Sequence, residues 1–505
     1  MTERPIVSRH GGSGLLAALV MTAAGCASGP DYRAAAVPAA ATGAFVSPAI
    51  RAVAHGAELP DDWWRLYEDA SLDALVQAAL AANTDLRIAQ ANLDRAQAMF
   101  REARSAQWPA TTVSGSAQYG RDAAASSGPG RAPVQWSYSG GLQLAYEVDL
   151  FGRVRRDIEA AQHDAGSMAA ARDAARVAVV AETTRAYVVA CTLGVSRAIA
   201  RESVTLSSHS LELVTQKWQA GSASRLDVER AGASAARARA ALPPLQGQRQ
   251  ATLFELAALL GRPPAAVPGT AAQCLQAPVL RGPMPVGDGA ALLRRRPDIR
   301  QAEHRLAADT ARIGIAVADL YPRITLGATG SRLRNDAGNQ DWSFALGPLI
   351  SWHFPNVMAA RSRVGQAKAR TAASLAAFDG TVLTALKETE QALTIYDASL
   401  SQHEALRDAR DRAGRAYRLA DQRYRAGAIA YLDVLLAQAD HVEARARLAA
   451  SALQVGNDRV TLFRALGGGW TAAAGPACPP APARGKTGGC PAGVNTWAGS
   501  RRPGP

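Results

Sequence analysis

The sequence predicts an α+β membrane protein in which long α-helical hairpins are joined to four transmembrane β-strands, arranged as an internal tandem repeat. Three observations predict this fold class. Two halves of the chain repeat one residue pattern, four short segments alternate strictly between apolar and polar residues, and two long segments contain almost no helix breakers. Alternation with a period of two is typical of strands, and a long alanine-rich run favours helix.

The repeat is visible when the two halves are compared directly. Residues 85–112 match residues 298–325, and residues 213–242 match residues 419–448. The first match keeps an aromatic–proline step in register, and the second keeps a Gly-x4-Leu-Asp-Val turn. Both elements are too uncommon to coincide by chance, so the two halves share one structural plan.

The repeat divides the chain into five segments. These are residues 1–25, a signal peptide; 26–260, the first repeat; 261–290, a linker; 291–470, the second repeat; and 471–505, a Pro/Gly-rich basic tail that we expect to be disordered. Within each repeat the order is helix, strand, loop, strand, long helix, tight turn and return helix. The helix before the first strand is predicted over 71–107, and the hairpins over about 152–260 and 357–466.

The alternating segments predict strands long enough to cross a bilayer when tilted. They cover residues of about 110–120, 134–149, 322–331 and 341–354. Aromatic residues lie near both ends of their apolar faces, as in the girdles of membrane barrels. Four strands cannot enclose a channel, and an open sheet edge in lipid would leave backbone groups unpaired. We therefore expect the chain to oligomerise and pool its strands, and a homotrimer would supply twelve. The loops between the strands are a longer one at 120–134 and a shorter one at 331–340.

The two long helices are predicted over 153–219 and 357–425. At 1.5 Å per residue each would extend about 100 Å, enough to cross much of the periplasm. No segment beyond the N-terminal region contains eighteen consecutive apolar residues. We therefore expect no membrane-spanning helix, and membrane insertion only through the strands.

Each long helix ends at an Ala-Gly pair, and a return helix follows after a short turn. Gly221 and Gly427 can adopt the left-handed conformation that closes a helix. Asp227 and Asp433 then fall in the first turn of the return helices, where a carboxylate is favoured. Both carboxylates can act as helix caps.

The N-terminus has the features of a lipoprotein signal. A basic region precedes the short apolar run 15–24, which is followed by the Ala-Ala-Gly-Cys motif that ends at Cys26. We expect lipidation of Cys26, with Ser28 favouring sorting to the outer membrane. Cys478 and Cys490 lie close together in the tail, where they could pair; incidental thiols are the favoured interpretation.

No motif indicates an enzyme, and we expect no catalytic residue, metal or cofactor. The chain lacks a P-loop, a GxGxxG after a strand, an HExxH and a nucleophile elbow. Glu388 and Glu390 are two residues apart on a helix and so lie on different faces. His304, His403 and His441 lie on polar helical stretches and are predicted to be solvated. The net charge of +13 is not organised into a basic stripe with stacking aromatics, which excludes nucleic acid as a partner.

Several runs resemble those of one known family. They are Cys26-Ala-Ser-Gly-Pro-Asp-Tyr32, Trp63-Trp64, Asp149-Leu-Phe-Gly-Arg153, and Arg294-Arg-Arg-Pro-Asp-Ile-Arg300 followed by Tyr321-Pro322. On these runs the chain resembles the outer-membrane efflux protein family typified by TolC, in its lipoprotein branch called NodT or OprM-like. The resemblance covers residues of about 26–470.

The resemblance implies a lipid-anchored channel of the cell outer membrane that acts as the exit duct of a tripartite efflux system. A trimeric barrel would open to the exterior, and a tapering twelve-helix tunnel would extend into the periplasm. A periplasmic adaptor, contacting the turns at Gly221 and Gly427, and an inner-membrane pump of the resistance–nodulation–division class would deliver drugs or other small molecules. Two alternatives stay open: a type I protein secretion channel, and a pore-less, lipid-anchored periplasmic coiled-coil protein.

The resemblance also implies gate residues at the periplasmic tip. Asp227, Asp433 and Tyr424 match the acidic and aromatic positions of the family's closed tip. Two positions depart from the best-known member. This chain has Ile429 in place of an arginine and Leu436 in place of an acidic residue. We therefore expect the network that closes this tip to differ from that member's.

Overall fold

The computed structural model describes residues 28–47, 53–57, 59–121, 134–335, 340–352, 354 and 357–470. Cys26, Cys478 and Cys490 lie outside these residues, as do the signal peptide and the tail. The helices are α1 Ala70–Ala82, α2 Thr84–Ser105, α3 Arg153–Gln219, α4 Arg225–Ala240, α5 Leu242–Leu259, α6 Gly269–Ala272, α7 Gly289–Arg295, α8 Pro297–Ala318, α9 Val357–Arg425 and α10 Tyr431–Ala465. The strands are β1 Val53–His55, β2 Ala110–Gly120, β3 Gln135–Val148, β4 Met284–Gly287, β5 Arg323–Asn335 and β6 Gln340–Ser351.

The four long strands form one antiparallel sheet in the order β2-β3-β5-β6. Its register aligns the apolar rows, because Leu144 lies opposite both Thr111 and Ala328, and Ala328 lies opposite Leu346. No strand in the described part of the chain pairs with the outer edges of β2 and β6. β5 continues to Asn335, so the prediction of a loop from residue 331 was wrong there. Pairing with β3 and β6 extends this strand beyond the apolar run that the sequence displays.

The helix predicted over 71–107 is two helices, separated at Asn83. The Asn83 side chain accepts hydrogen bonds from the backbone N–H groups of Asp85 (2.9 Å) and Leu86 (3.1 Å), which caps α2. Its amide also donates to the Leu259 carbonyl at 3.0 Å. The side chain of Asn83 therefore fixes a bend that the continuous helical pattern conceals.

The long helices have the predicted bounds. α3 and α9 contain 67 and 69 residues. One stretch of α3 is apolar enough to span a membrane, but 83% of it is buried inside the protein. The apolar character of α3 therefore reflects packing against neighbouring helices. The return helix of the first hairpin is interrupted between α4 and α5, where Pro243 occupies the first turn of α5.

The main core lies midway along the helices, where segments distant in sequence meet. Trp63, which is fully buried, stacks on Phe463 with ring centroids 4.2 Å apart. The segment expected to be a linker, residues 261–290, is folded against this core. Its strand β4 pairs in parallel with β1, and Met284 is fully buried. The apparent linker thus completes the hydrophobic core.

A disulfide bond between Cys191 and Cys274 joins α3 to this connecting segment. Sequence reasoning missed the pair, because the two cysteines are 83 residues apart and follow no spacing rule. The buried Arg249 side chain reinforces the junction, donating to the carbonyl oxygens of Ala190 (3.2 Å) and Ala272 (2.7 Å). A Cβ atom at Gly194 would lie 2.6 Å from the Cys274 carbonyl oxygen, so this close approach requires glycine.

Replacing Cys191 and Cys274 together with alanine should lower the melting temperature of the purified protein. The bond restricts the unfolded chain over a long loop, and a native disulfide typically contributes about 2–5 kcal/mol. Circular dichroism during heating measures the change. The matched control, Cys478→Ala/Cys490→Ala, should melt as the wild type does. An unchanged melting temperature in the first variant would contradict a stabilising role for the bond.

Candidate functional site

The first tip turn joins α3 to α4 through backbone hydrogen bonds typical of a helix C-terminus. Gly221 has a φ of +74°, and its N–H donates to the Trp218 carbonyl at 2.9 Å, while the Ser222 N–H donates to the Lys217 carbonyl at 2.8 Å. Ser224 and Asp227 then form a capping box. The hydrogen bonds from the side chain and backbone of Ser224 hold the pKa of Asp227 below its usual value.

The second tip turn has the same backbone and a different cap. Gly427 has a φ of +76°, and its N–H donates to the Tyr424 carbonyl at 2.9 Å. The N-cap is Ala430, whose side chain cannot accept a hydrogen bond. Asp433 lies in the first turn of α10 with an exposed side chain that pairs with no described residue. The two aspartates thus share a position in the repeat but not an environment.

The two hairpins contact each other at the tip. The Lys217 Nζ atom, from α3, lies 4.2 Å from the centre of the Tyr424 ring and 5.4 Å from that of Tyr431. The two tyrosine rings pack edge to face with centroids 5.0 Å apart. Deeper in the same interface, the Ser210 hydroxyl donates to Gln438 Oε1 at 2.6 Å.

Lys217 was not identified from the sequence. Its only signal is a basic residue in the last turn of a long helix, where a cation is commonly favoured by the helix dipole. Leu436, which replaces an acidic residue of the best-known family member, exposes 57% of its surface. The tip therefore combines a cation–π contact between hairpins with an exposed carboxylate and an exposed apolar side chain.

The long sheet has two chemically different faces. One face carries hydroxyl groups, which pair across strands at Ser116–Ser139 (2.8 Å) and Ser331–Ser343 (2.7 Å). The other face is apolar and exposed: Phe344 and Leu346 expose 90% and 83% of their surfaces. An exposed apolar area of this extent needs a non-aqueous neighbour, whereas the hydroxyl-bearing face can line water.

The arginines of the run 294–300 have structural partners. Arg296 donates to the Ala465 carbonyl (2.9 Å) and forms ion pairs with Asp298 (2.7 Å) and Glu388 (2.9 Å). Arg295 donates to the carbonyls of Leu59 and Gly467 and pairs with Asp61 at 2.7 Å. This run therefore connects the start of the second repeat with the end of α10 and with the segment that contains Leu59 and Asp61.

Glu388 and Glu390 lie on different faces of α9, as predicted. Glu388 pairs with Arg296, while the Glu390 carboxylate accepts hydrogen bonds from the backbone N–H groups of Val46 and Ser47. Each carboxylate therefore binds a different segment of the chain. This separation leaves no paired carboxylates at this position.

The prediction of solvated histidines was wrong, because all three are partly buried. His304 Nδ1 lies 3.2 Å from His163 Nδ1, and His403 Nδ1 lies 2.9 Å from the Ser451 hydroxyl. Burial lowers the pKa of His304, and the neighbouring His163 lowers it further. Helix packing covers these polar side chains, which the sequence pattern could not indicate. Among the described residues, no cluster of three potential ligands could hold a metal ion.

The N-terminal segment is bound to the junction between strands and helices. The Ser28 N–H donates to the Phe151 carbonyl at 3.1 Å, one residue before the Gly152 cap of α3. The buried Arg156 side chain donates to the Ser28 carbonyl and forms an ion pair with Asp31 at 2.6 Å. Residue 28 therefore lies beside the end of the sheet that adjoins the helices.

Comparison with known proteins agrees with this geometry. The family model described as "Outer membrane efflux protein" matches residues 75–262 and 290–468. The chain belongs to the outer membrane efflux protein family. It is thus an efflux channel of the outer membrane and not an enzyme, and the predicted fold of long helical hairpins with a repeated pair of strands is confirmed.

Individual relatives are similar over nearly their whole length. Outer membrane protein OprJ of Pseudomonas aeruginosa is 34% identical over 91% of this chain and 96% of its own. The antibiotic efflux pump outer membrane protein ArpC of Pseudomonas putida is 32% identical over 90% and 95%. The solved structure of the outer-membrane channel OprN superposes with a TM-score of 0.80, at 32% identity, over 88% of this chain and all of that one.

The different caps predict different responses to the same substitution. Asp227→Ala should destabilise the first turn of α4 by about 1 kcal/mol, because the capping box is lost. Asp433→Ala should have a smaller effect on α10, since Asp433 contributes there only through the helix dipole. Amide hydrogen exchange in the two turns measures the difference. Equal increases in exchange would contradict the distinction.

Proposed function

We propose that three copies of the chain close a twelve-stranded barrel and form the exit duct of a tripartite efflux system. The supporting observation is the four-stranded sheet, which has an exposed apolar face and two edges without described partners. Backbone groups at such edges cannot stay unpaired in lipid. Pairing β2 of one copy with β6 of the next satisfies both edges and gives the barrel a hydroxyl-lined interior.

We propose that the duct carries drugs or other small molecules. The similarity to ArpC, which is named as part of an antibiotic efflux pump, supports this class of cargo. The interior face consists mainly of small hydroxyl-bearing and neutral residues, so it offers few groups that would retain a charged or apolar solute. An adaptor protein would contact the turns at Gly221 and Gly427, and a pump of the resistance–nodulation–division class would select the cargo.

We propose Asp433 and Tyr424 as gate residues. The Asp433 carboxylate is exposed and pairs with no described residue, so three copies can form an acidic ring around the axis. Tyr424 is held by Lys217 of the other hairpin, and separation of the hairpins would break that contact. Asp227 can contribute a second ring, although its carboxylate also serves the capping box.

Single-channel conductance in a planar bilayer tests the duct and the gate together. The wild type should pass small, cation-selective currents, and Asp433→Ala should pass larger and less selective currents because a ring of three charges is lost. Asp227→Ala is the matched comparison and should change the current less. Equal currents from wild type and Asp433→Ala would remove Asp433 from the gate. Absence of current from every folded trimer would contradict the duct.

We propose that Cys26 carries a lipid anchor. The binding of Ser28 beside the strand–helix junction supports this, because a cysteine two residues earlier can reach the adjoining membrane surface. Arg156 secures the segment through its contacts with Ser28 and Asp31. The anchor would then enter the inner leaflet of the outer membrane.

Intact mass measurement tests the lipid anchor. The purified wild type should begin at residue 26 with an added mass equal to three fatty acyl chains and glycerol. Cys26→Ser should lack this mass and still form trimers, because the strands supply the membrane insertion. A wild-type chain without acyl groups would refute the anchor.

The type I protein secretion channel is distinguished by its partner. Isolation of the trimer from a crosslinked membrane should yield an adaptor together with a proton-driven pump. Recovery of an ATP-driven transporter in place of that pump would favour protein export. The channel itself would be retained in either case.

A further inference from the structure

Among the described residues of the four long strands, the apolar face of the sheet carries two charges, and both are arginines. Five pairs of opposite residues from β3 and β5 share this face. They are Tyr146 and Leu326, Leu144 and Ala328, Leu142 and Gly330, Gly140 and Arg332, and Tyr138 and Arg334. Among the described residues of the four strands, Arg332 and Arg334 are the charged residues that this alternation places there. The charged strand residues Glu147, Arg323 and Asp341 alternate onto the opposite, hydroxyl-bearing face.

The two arginines lie at the end of the sheet that is remote from the helices. Ten residues separate Ile324, the first apolar residue of β5, from Arg334. At 3.3 Å per residue and a tilt of about 40°, this distance corresponds to about 25 Å along the membrane normal. That height equals the apolar band of an outer-membrane barrel, so Arg334 reaches the distal lipid–water interface.

Aromatic neighbours support this depth. Trp342 lies directly opposite Arg332, whose guanidinium is 6.0 Å from the indole centre. Tyr138 lies opposite Arg334, and its ring stacks on Trp136 with centroids 6.2 Å apart. Tryptophan and tyrosine at barrel interfaces lie at the level of the lipid headgroups. The arginines therefore project from the barrel wall at headgroup depth, where a guanidinium meets phosphate groups.

We propose that Arg332 and Arg334 bind the phosphate groups of a bisphosphorylated glycolipid in the outer leaflet. This inference depends on the barrel proposed above. Guanidinium groups match phosphate oxygens in bidentate geometry, and residues two apart on a strand place two such groups on one face about 7 Å apart. Three copies of the chain would present three such sites around the barrel, each flanked by the aromatic side chains that contact the acyl region.

The test uses native mass spectrometry to measure the binding of bisphosphorylated lipid A to the detergent-solubilised full-length trimer. Arg332→Gln/Arg334→Gln should bind it at least about tenfold more weakly than wild type, because two charge-assisted contacts are lost. Arg415→Gln/Arg418→Gln, which removes two exposed charges from α9 far from the strands, should bind as wild type does. Dephosphorylated lipid A should bind wild type as weakly as the phosphorylated lipid binds the strand variant.

Further measurements separate the alternatives. Arg332→Lys/Arg334→Lys keeps the charges and should retain more lipid binding than the glutamine variant. If the glutamine variant does not assemble, the lysine variant is compared with the wild type instead. Millimolar inorganic phosphate should not displace the lipid; displacement would indicate a free-phosphate site instead. Equal affinity of wild type for phosphorylated and dephosphorylated lipid would overturn the proposal. If the glutamine variant conducts as the wild type does, its exit duct is intact, and the result for the lipid site can be judged separately from the proposed duct.

Discussion

The structure depends on one constraint: a four-stranded sheet with an apolar face has backbone donors and acceptors at both edges, and lipid offers them no partner. The edges belong to β2 and β6, one from each repeat. Because each repeat supplies two strands, neither repeat nor single chain can close the sheet. Direct pairing of β3 with β5 joins the two pairs of strands in one continuous register, and the trimer proposed above would extend that pairing from copy to copy.

The repeat conserves backbone geometry more strictly than side-chain roles. Both tip turns use a glycine with positive φ and the same helix-terminating hydrogen bonds. Asp227 is committed to a capping box, however, whereas Asp433 follows an alanine N-cap and stays exposed. In the first hairpin the aspartate carboxylate therefore stabilises the turn, whereas in the second hairpin the carboxylate stays exposed. This division fits the gate proposed for Asp433 and the contact that Lys217 makes across the two hairpins.

Features with a regular period could be predicted from the sequence, and features produced by tertiary contact could not. Strand alternation and the absence of helix breakers gave the sheet and the bounds of α3 and α9. The bend at Asn83 depends on a hydrogen bond to Leu259, and the His163–His304 contact depends on helix packing. Glycine and aspartate located the tip turns, but Lys217 gave no comparable signal, because its aromatic partners belong to the other hairpin.

The bond between Cys191 and Cys274 links the structure of this channel to its route through the cell. Thiols stay reduced in the cytoplasm and are oxidised after export. A chain awaiting secretion therefore lacks the covalent connection between α3 and the segment that completes the core. It gains this connection only after export, so the redox boundary that the chain crosses determines when α3 becomes covalently linked to that segment.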